Sequence, residues 1–186
     1  MIEEVNKTYE IVKRGGTIAY PTDTVWGLGC DATNFEAVEK LYEIKNRPQD
    51  KSMICLVDSL RMLDQFFEKV PEMAFQLLKY ANKPTTLILD NPIRVSENVI
   101  AKDGTLGVRV VNDKFCQTLI RKLKRPLVST SANISGEPTA KTFTEINPLI
   151  LEGVDYVVNL HRNRKAAKPS SIIKLSEDGA VQVIRQ

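Results

Sequence analysis

Apolar positions along the 186-residue chain follow two spacings in turn. Ile2, Val5, Tyr9 and Val12 recur at helical spacing and Gly15-Gly16 stops them, which predicts a helix over 2–14. Thr17-Ile18-Ala19-Tyr20 then reads as a short buried strand running into Pro21. Thr33-Asn34-Phe35-Glu36 has the form of a capping box, and the helix it opens sets Val38, Leu41, Tyr42 and Lys45 on one face. Asn46-Arg47-Pro48 ends that helix, because the residue before proline is pushed out of helical geometry. The unbroken apolar run Ser52-Met53-Ile54-Cys55-Leu56-Val57 is expected of a strand buried on both faces. Further helices are predicted over about 58–67, 71–81 and 113–123, with short ones near 142–152. Strands are predicted at 86–89, 106–111, 127–130, 156–158, 171–175 and 181–184.

Helices and strands alternate through the first two thirds, and strands dominate afterwards. That order predicts an α/β fold, a single domain over 1–186 in which helices sandwich one mixed sheet. Composition narrows the class further. With 42% apolar residues and 26 cationic against 23 anionic side chains (net charge +3), the chain has the makings of a core and none of the bias of a disordered segment. No apolar run approaches the roughly 18–20 residues that span a bilayer. The start Met1-Ile2-Glu3-Glu4 is acidic, unlike a signal peptide, so the expected location is the cytoplasm.

The inventory of reactive side chains also excludes mechanisms. Cys30, Cys55 and Cys116 are widely spaced with no CxxC pair, so they are expected as buried free thiols. His161 is the only imidazole, which leaves little room for a His-based zinc site or hydrolytic triad. Neither GxxxxGK[ST] nor GxGxxG occurs. Two stretches, Lys114 to Gly136 and Tyr156 to Ser176, are basic and free of acid, which suits either an anionic partner or a solvated face.

Four polar groups sit at predicted element ends. Pro21-Thr22-Asp23-Thr24 precedes two glycines and reads as a turn or a site. Lys45, Arg47 and Lys51 gather three cations at a helix exit, suited either to the helix dipole or to a polyphosphate. Ser129-Thr130-Ser131-Ala132-Asn133-Ile134-Ser135-Gly136-Glu137-Pro138-Thr139 places five hydroxyls and an amide after an apolar strand, a loop able to wrap phosphate oxygens. Pro169-Ser170-Ser171 opens the penultimate strand, and Arg185 closes the last. Arg109 interrupts the apolar strand Gly107-Val108-Arg109-Val110, where a buried guanidinium needs an anion. Together these groups describe an anion or nucleotide site and name no reaction.

The motifs Tyr20-Pro21-Thr22-Asp23-Thr24-Val25-Trp26-Gly27-Leu28-Gly29, Lys45-Asn46-Arg47-Pro48 with Lys51, Gly107-Val108-Arg109, and Ser129-Thr130-Ser131-Ala132-Asn133 with Ser135-Gly136 resemble the YrdC-like threonylcarbamoyl-AMP synthases in order and spacing. The resemblance covers nearly the whole chain and fits the short form, without the extra C-terminal domain some members carry. It implies an α/β sandwich with a twisted mixed sheet and a basic concave surface. It also implies a nucleotidyltransferase that makes L-threonylcarbamoyladenylate from L-threonine, bicarbonate or CO2, and ATP, releasing pyrophosphate for t6A37 modification of tRNA. Mg2+ would ride on the ATP phosphates, with no protein metal site.

Carried over by position, the resemblance makes Lys45 and Arg47 catalytic. It assigns Arg47, Lys51, Thr105, Ser131, Asn133, Thr139 and Arg185 to ATP, and Thr24, Arg109, Ser129 and Ser170 to L-threonine. Trp26 replaces the usual tyrosine, and Ser170-Ser171 replaces the usual Ser-Thr. Expected partners are tRNA or double-stranded RNA and a downstream threonylcarbamoyl transferase complex. The alternative reading is a non-catalytic module that binds double-stranded RNA or tRNA.

Overall fold

The computed structural model describes residues 1–49 and 51–186. The strands, in chain order, are β1 (Ile18–Tyr20), β2 (Gly27–Gly29), β3 (Ile54–Val57), β4 (Thr85–Asp90), β5 (Thr105–Val110), β6 (Leu127–Ser131), β7 (Tyr156–Val157), β8 (Ser171–Leu175) and β9 (Val181–Arg185). Among the described residues they form one mixed sheet in the order β7-β1-β2-β6-β3-β5-β4-β8-β9. β3 pairs parallel with β5 and antiparallel with β6, so the apolar run at Ile54–Val57 lies mid-sheet as its composition demanded. Cys55, Leu56, Val57, Leu106, Val108, Leu127 and Val128 form the buried middle. Each fully buried leucine there contributes about 1.5–3 kcal/mol.

The helices are α1 (Ile2–Lys13), α2 (Phe35–Ile44), α3 (Leu60–Asp64), α4 (Glu72–Tyr80), α5 (Lys114–Leu123) and α6 (Pro148–Gly153). α1 turns Val5, Thr8 and Val12 inward and packs on α5. α5 buries Phe115, Cys116, Leu119, Ile120 and Leu123 along one face, and Asp113 caps it by accepting from the N–H groups of Phe115 and Cys116. Such a cap contributes about 1 kcal/mol. All three cysteines are buried free thiols, and burial pushes the Cys55 thiol up to about 12. No described helix is long and apolar enough to cross a membrane.

Three sequence expectations change. The N-cap of α2 is Asn34, whose Oδ1 accepts from Ala37 N–H at 2.9 Å; Thr33 instead donates to Asp31. The helix expected over about 58–67 shortens to α3, which Ser59 caps. The Gly27-Leu28-Gly29 segment, for which no apolar spacing predicts an element, is strand β2 between β1 and β6. Its signal is backbone room rather than periodicity. A Cβ on Gly29 would lie 2.5 Å from Val128 O and 2.8 Å from the Tyr20 ring, so only glycine admits this close pairing.

Candidate active-site cleft

Arg109 sits on β5 with only 4% of its surface exposed. Two contacts hold its guanidinium. Nη1 donates to Thr24 Oγ1 at 3.2 Å, and Nη2 lies 3.1 Å from Asp23 Oδ1 in an ion pair without hydrogen-bond alignment. Nε–H is buried and has no partner. A buried guanidinium with unspent donors is costly unless an acceptor arrives.

The turn that supplies Thr24 and Asp23 is built from its own hydroxyls. Thr22 Oγ1 donates to Val25 O at 2.7 Å and accepts from Thr24 N–H at 3.0 Å. Thr22 and Thr24 hydroxyls are 3.0 Å apart. Because the single Thr22 proton is committed to Val25, Thr24 is the donor in that pair. Thr24 Oγ1 therefore accepts from Arg109 and keeps one lone pair for a further donor.

A second arrangement grows from the end of α2. Arg47 N–H bonds back to Tyr42 O, and Asn46 adopts a left-handed φ of 46°, a Schellman-type stop. The reversal sends neighbouring cations to opposite places. Lys45 turns inward, 1% exposed, and its ammonium donates to Ser131 O and Asn133 O, both at 2.5 Å. Its own carbonyl accepts from Ser135 N–H at 2.8 Å. Burial, and then repulsion by Arg47, lowers the Lys45 ammonium to about 8. Arg47 turns the other way and donates to Lys51 O at 2.7 Å and Ser52 O at 3.0 Å, which fixes its fork at the cleft wall.

Between these arrangements lies a cleft of about 320 Å³. Thr22, Thr24 and Arg109 line one part, Arg47 and Ser52 another, and Ser129, Thr130 and Ser131 the floor of β6. Gly27 keeps it open, since a Cβ there would stand 3.4 Å from Ser129 Oγ and from Thr22 Cγ2. The loop before β8 closes one side. Ala167 N–H donates to Thr24 O at 2.7 Å, and Ser170 Oγ lies 2.8 Å from Thr86 Oγ1. Arg185 Nε donates to Ser170 O at 3.0 Å, which brings the last strand to the rim. Hydroxyls and cations around a small concave space suit an anionic ligand with a carboxylate or phosphates.

The family model described as Sua5_yciO_yrdC, telomere recombination, matches residues 10–186. The chain belongs to this Sua5/YciO/YrdC family. A relative named threonylcarbamoyl-AMP synthase from Idiomarina loihiensis is 36% identical over 163 residues, 85% of this chain and 86% of that one. One of the same name from Xanthomonas campestris is 37% identical over 149 residues, 78% of this chain and 80% of that one. Among solved structures, P. abyssi Sua5 complexed with L-threonine superposes with a TM-score of 0.82 at 27% identity, over 92% of this chain and 50% of that chain. The chain thus spans about half the length of that Sua5. E. coli YciO superposes with a TM-score of 0.86 at 28% identity, over all of this chain and 90% of that chain.

Within this Sua5/YciO/YrdC fold the predicted residues separate into two sets. Thr24, Arg47, Arg109, Ser129, Ser131, Thr139, Ser170 and Arg185 all line the cleft. Lys45, Lys51, Thr105 and Asn133 do not. Lys45 lies beneath the loop that follows β6, and its contacts are backbone carbonyls. Thr105 opens β5, four residues before Arg109, and its hydroxyl donates to Asp103. Asn133 Nδ2 donates to Ile134 O and Glu137 O, tying its own loop. Lys51 is exposed beside the rim.

Sequence reasoning singled out neither Thr86 nor Ser52 as a site residue, and it left Asp23 without a role. The first two carry no signal, since each merely opens an apolar run. Several cations of the basic stretches are engaged within the chain: Arg121 with Asp58, Arg125 with Asp31, and Arg164 with Asp113.

Proposed function

We propose that this chain is an ATP-dependent L-threonylcarbamoyladenylate synthase, acting for t6A modification of tRNA. One observation carries the reading: Arg109, buried and lining the cleft, has unspent donors beside a Thr24 hydroxyl with a spare lone pair. An α-amino acid matches that pair, its carboxylate on the guanidinium and its ammonium on the hydroxyl. The name shared by curated relatives at 36–37% identity supports the same substrate and product.

In this reading Ser129 and Ser170 complete the threonine pocket. Arg47, Ser131, Thr139 and Arg185 meet the nucleotide. Threonine's deprotonated amine adds to CO2 and releases a proton, or condenses with bicarbonate and releases water, to give a carbamate. A carbamate oxygen attacks the α-phosphorus of ATP, and pyrophosphate leaves with its bonding electron pair. The protein contributes placement and charge, so no side-chain nucleophile is required. The cleft offers hydroxyls and cations rather than a carboxylate cage, so magnesium would arrive on the phosphates. Lys45 enters this scheme as the support of the β6 end that bears Ser131 and of the loop after it. The cytoplasm is the proposed location and tRNA modification the proposed context.

Incubation with labelled threonine, bicarbonate and ATP tests the reading. The expected result is a labelled adenylate and pyrophosphate release that depends on both threonine and bicarbonate. A chain that binds RNA yet consumes no ATP in response to threonine would overturn it in favour of the binding module.

A further inference from the structure

The geometry points to Asp23 as a positioning residue that sets the threonine selectivity of Arg109 from behind. The cleft is not the largest concavity. A groove of about 900 Å³ lies next to it, bordered by Asp23, Val110, Asn112, Asp113, Lys114 and Arg164. Asp23 lines this groove and not the cleft, whereas Arg109 lines the cleft and not the groove. Their ion pair, at 3.1 Å, therefore forms the partition between the two spaces.

Asp23 is itself held. Its Oδ2 accepts from Asn112 N–H at 3.0 Å, just past the end of β5. The carboxylate thus spans from the turn after β1 to the strand that carries Arg109. It neutralises the guanidinium without taking an aligned hydrogen bond from it. That combination has a consequence for recognition. Charge pairing keeps Arg109 buried and fixed when no ligand is present, while its directional donors stay unspent for a planar carboxylate. Thr24 fixes the remaining end at Nη1. An aligned Arg–Asp fork would hold the arginine as firmly but would spend the donors on the protein.

The proposal rests on the threonine-synthase reading, and the test separates the two. Wild-type enzyme must first release pyrophosphate in response to threonine; if it does not, that reading fails before Asp23 is touched. In Asp23→Asn, the KM for L-threonine is expected to rise on the order of 10–100-fold, the range for residues that orient a ligand-binding group. The KM for ATP should stay within about twofold, because nothing at the nucleotide end is altered.

Because Asp23 borders an open groove, formate can reach the space left in Asp23→Ala and is expected to restore part of the threonine affinity. A merely structural role would move both KM values together and would not respond to formate. Should the variants fail to fold, the wild type still decides. Side-chain 15N spectra of threonine-free protein should resolve separate Arg109 Nη signals, since rotation is arrested by Asp23 and Thr24. Averaged Nη signals, an unchanged threonine KM in Asp23→Asn, or parallel shifts in both KM values would each overturn the proposal.

Discussion

The two ends of the cleft hold positive charge in opposite ways. At the Arg109 end the charge is dry: 4% exposed, paired with Asp23, and fixed by Thr24. At the Arg47 end it is part-solvated: Arg47 is half-buried, Lys51 is exposed, and Arg185 lies on an edge strand whose five residues are all exposed. Coulomb attraction is several times stronger where water is excluded, and exposed charges are screened by salt. The dry end can therefore discriminate one small ligand by geometry. The wet end can receive a larger, mobile, multiply charged ligand and release it. The difference teaches that burial, not charge count, sets what each end of the cleft can do.

The most damaging way to test this contrast is Arg109→Ala. It strands the Asp23 carboxylate, 10% exposed, without its partner. A loss of about 3–5 kcal/mol in unfolding free energy is expected from denaturant melts, together with loss of threonine-dependent pyrophosphate release. A variant as stable as wild type would show that the pair is not held in the way described. Arg47→Ala should leave stability nearly unchanged while slowing adenylate formation on the order of 10²–10³-fold, the cost of losing one fixed electrostatic donor. Full turnover in that variant would remove Arg47 from the nucleotide end.

Lys45 sharpens the comparison because it is a buried charge outside the cleft lining. Its ammonium is lowered from 10.5 to about 8. Between those values the unfolded chain holds a proton that the folded chain has released, so this group makes stability rise with pH. Measured against Lys45→Met, wild type should gain relative stability from pH 8 to 10.5, by no more than about 3 kcal/mol. A difference that is flat over that window would mean the ammonium is not desolvated. The smallest effect is expected at Lys51. Lys51→Ala should weaken ATP binding by no more than about 1 kcal/mol, and salt well above 0.15 M should abolish the difference. A large, salt-insensitive loss would place Lys51 inside the cleft rather than at its rim.

Local patterning was enough for most elements. The helical spacing of Val38, Leu41 and Tyr42 and the apolar run before Val57 were both legible because each element buries a stripe or a strand of its own. β2 was not, since Gly27-Leu28-Gly29 becomes a strand only when Tyr20 and Val128 approach closely enough to require glycine. The site divides similarly. Arg109 could be read as anomalous from its apolar neighbours alone. Asp23 could not be told from a turn residue, because its partners Arg109 and Asn112 are more than eighty positions away.

The fate of Lys45 and Arg47 marks the boundary. The sequence by itself determined that a helix ends at this point and leaves two cations there, because the apolar period stops and Pro48 forbids its continuation. It could not determine that one cation would be buried and the other would line the cleft. That was decided by the left-handed turn at Asn46 and by the carbonyls of Ser131 and Asn133. Hydrogen bonds to distant backbone carry no trace in local composition, so only the folded chain assigns each charge its task.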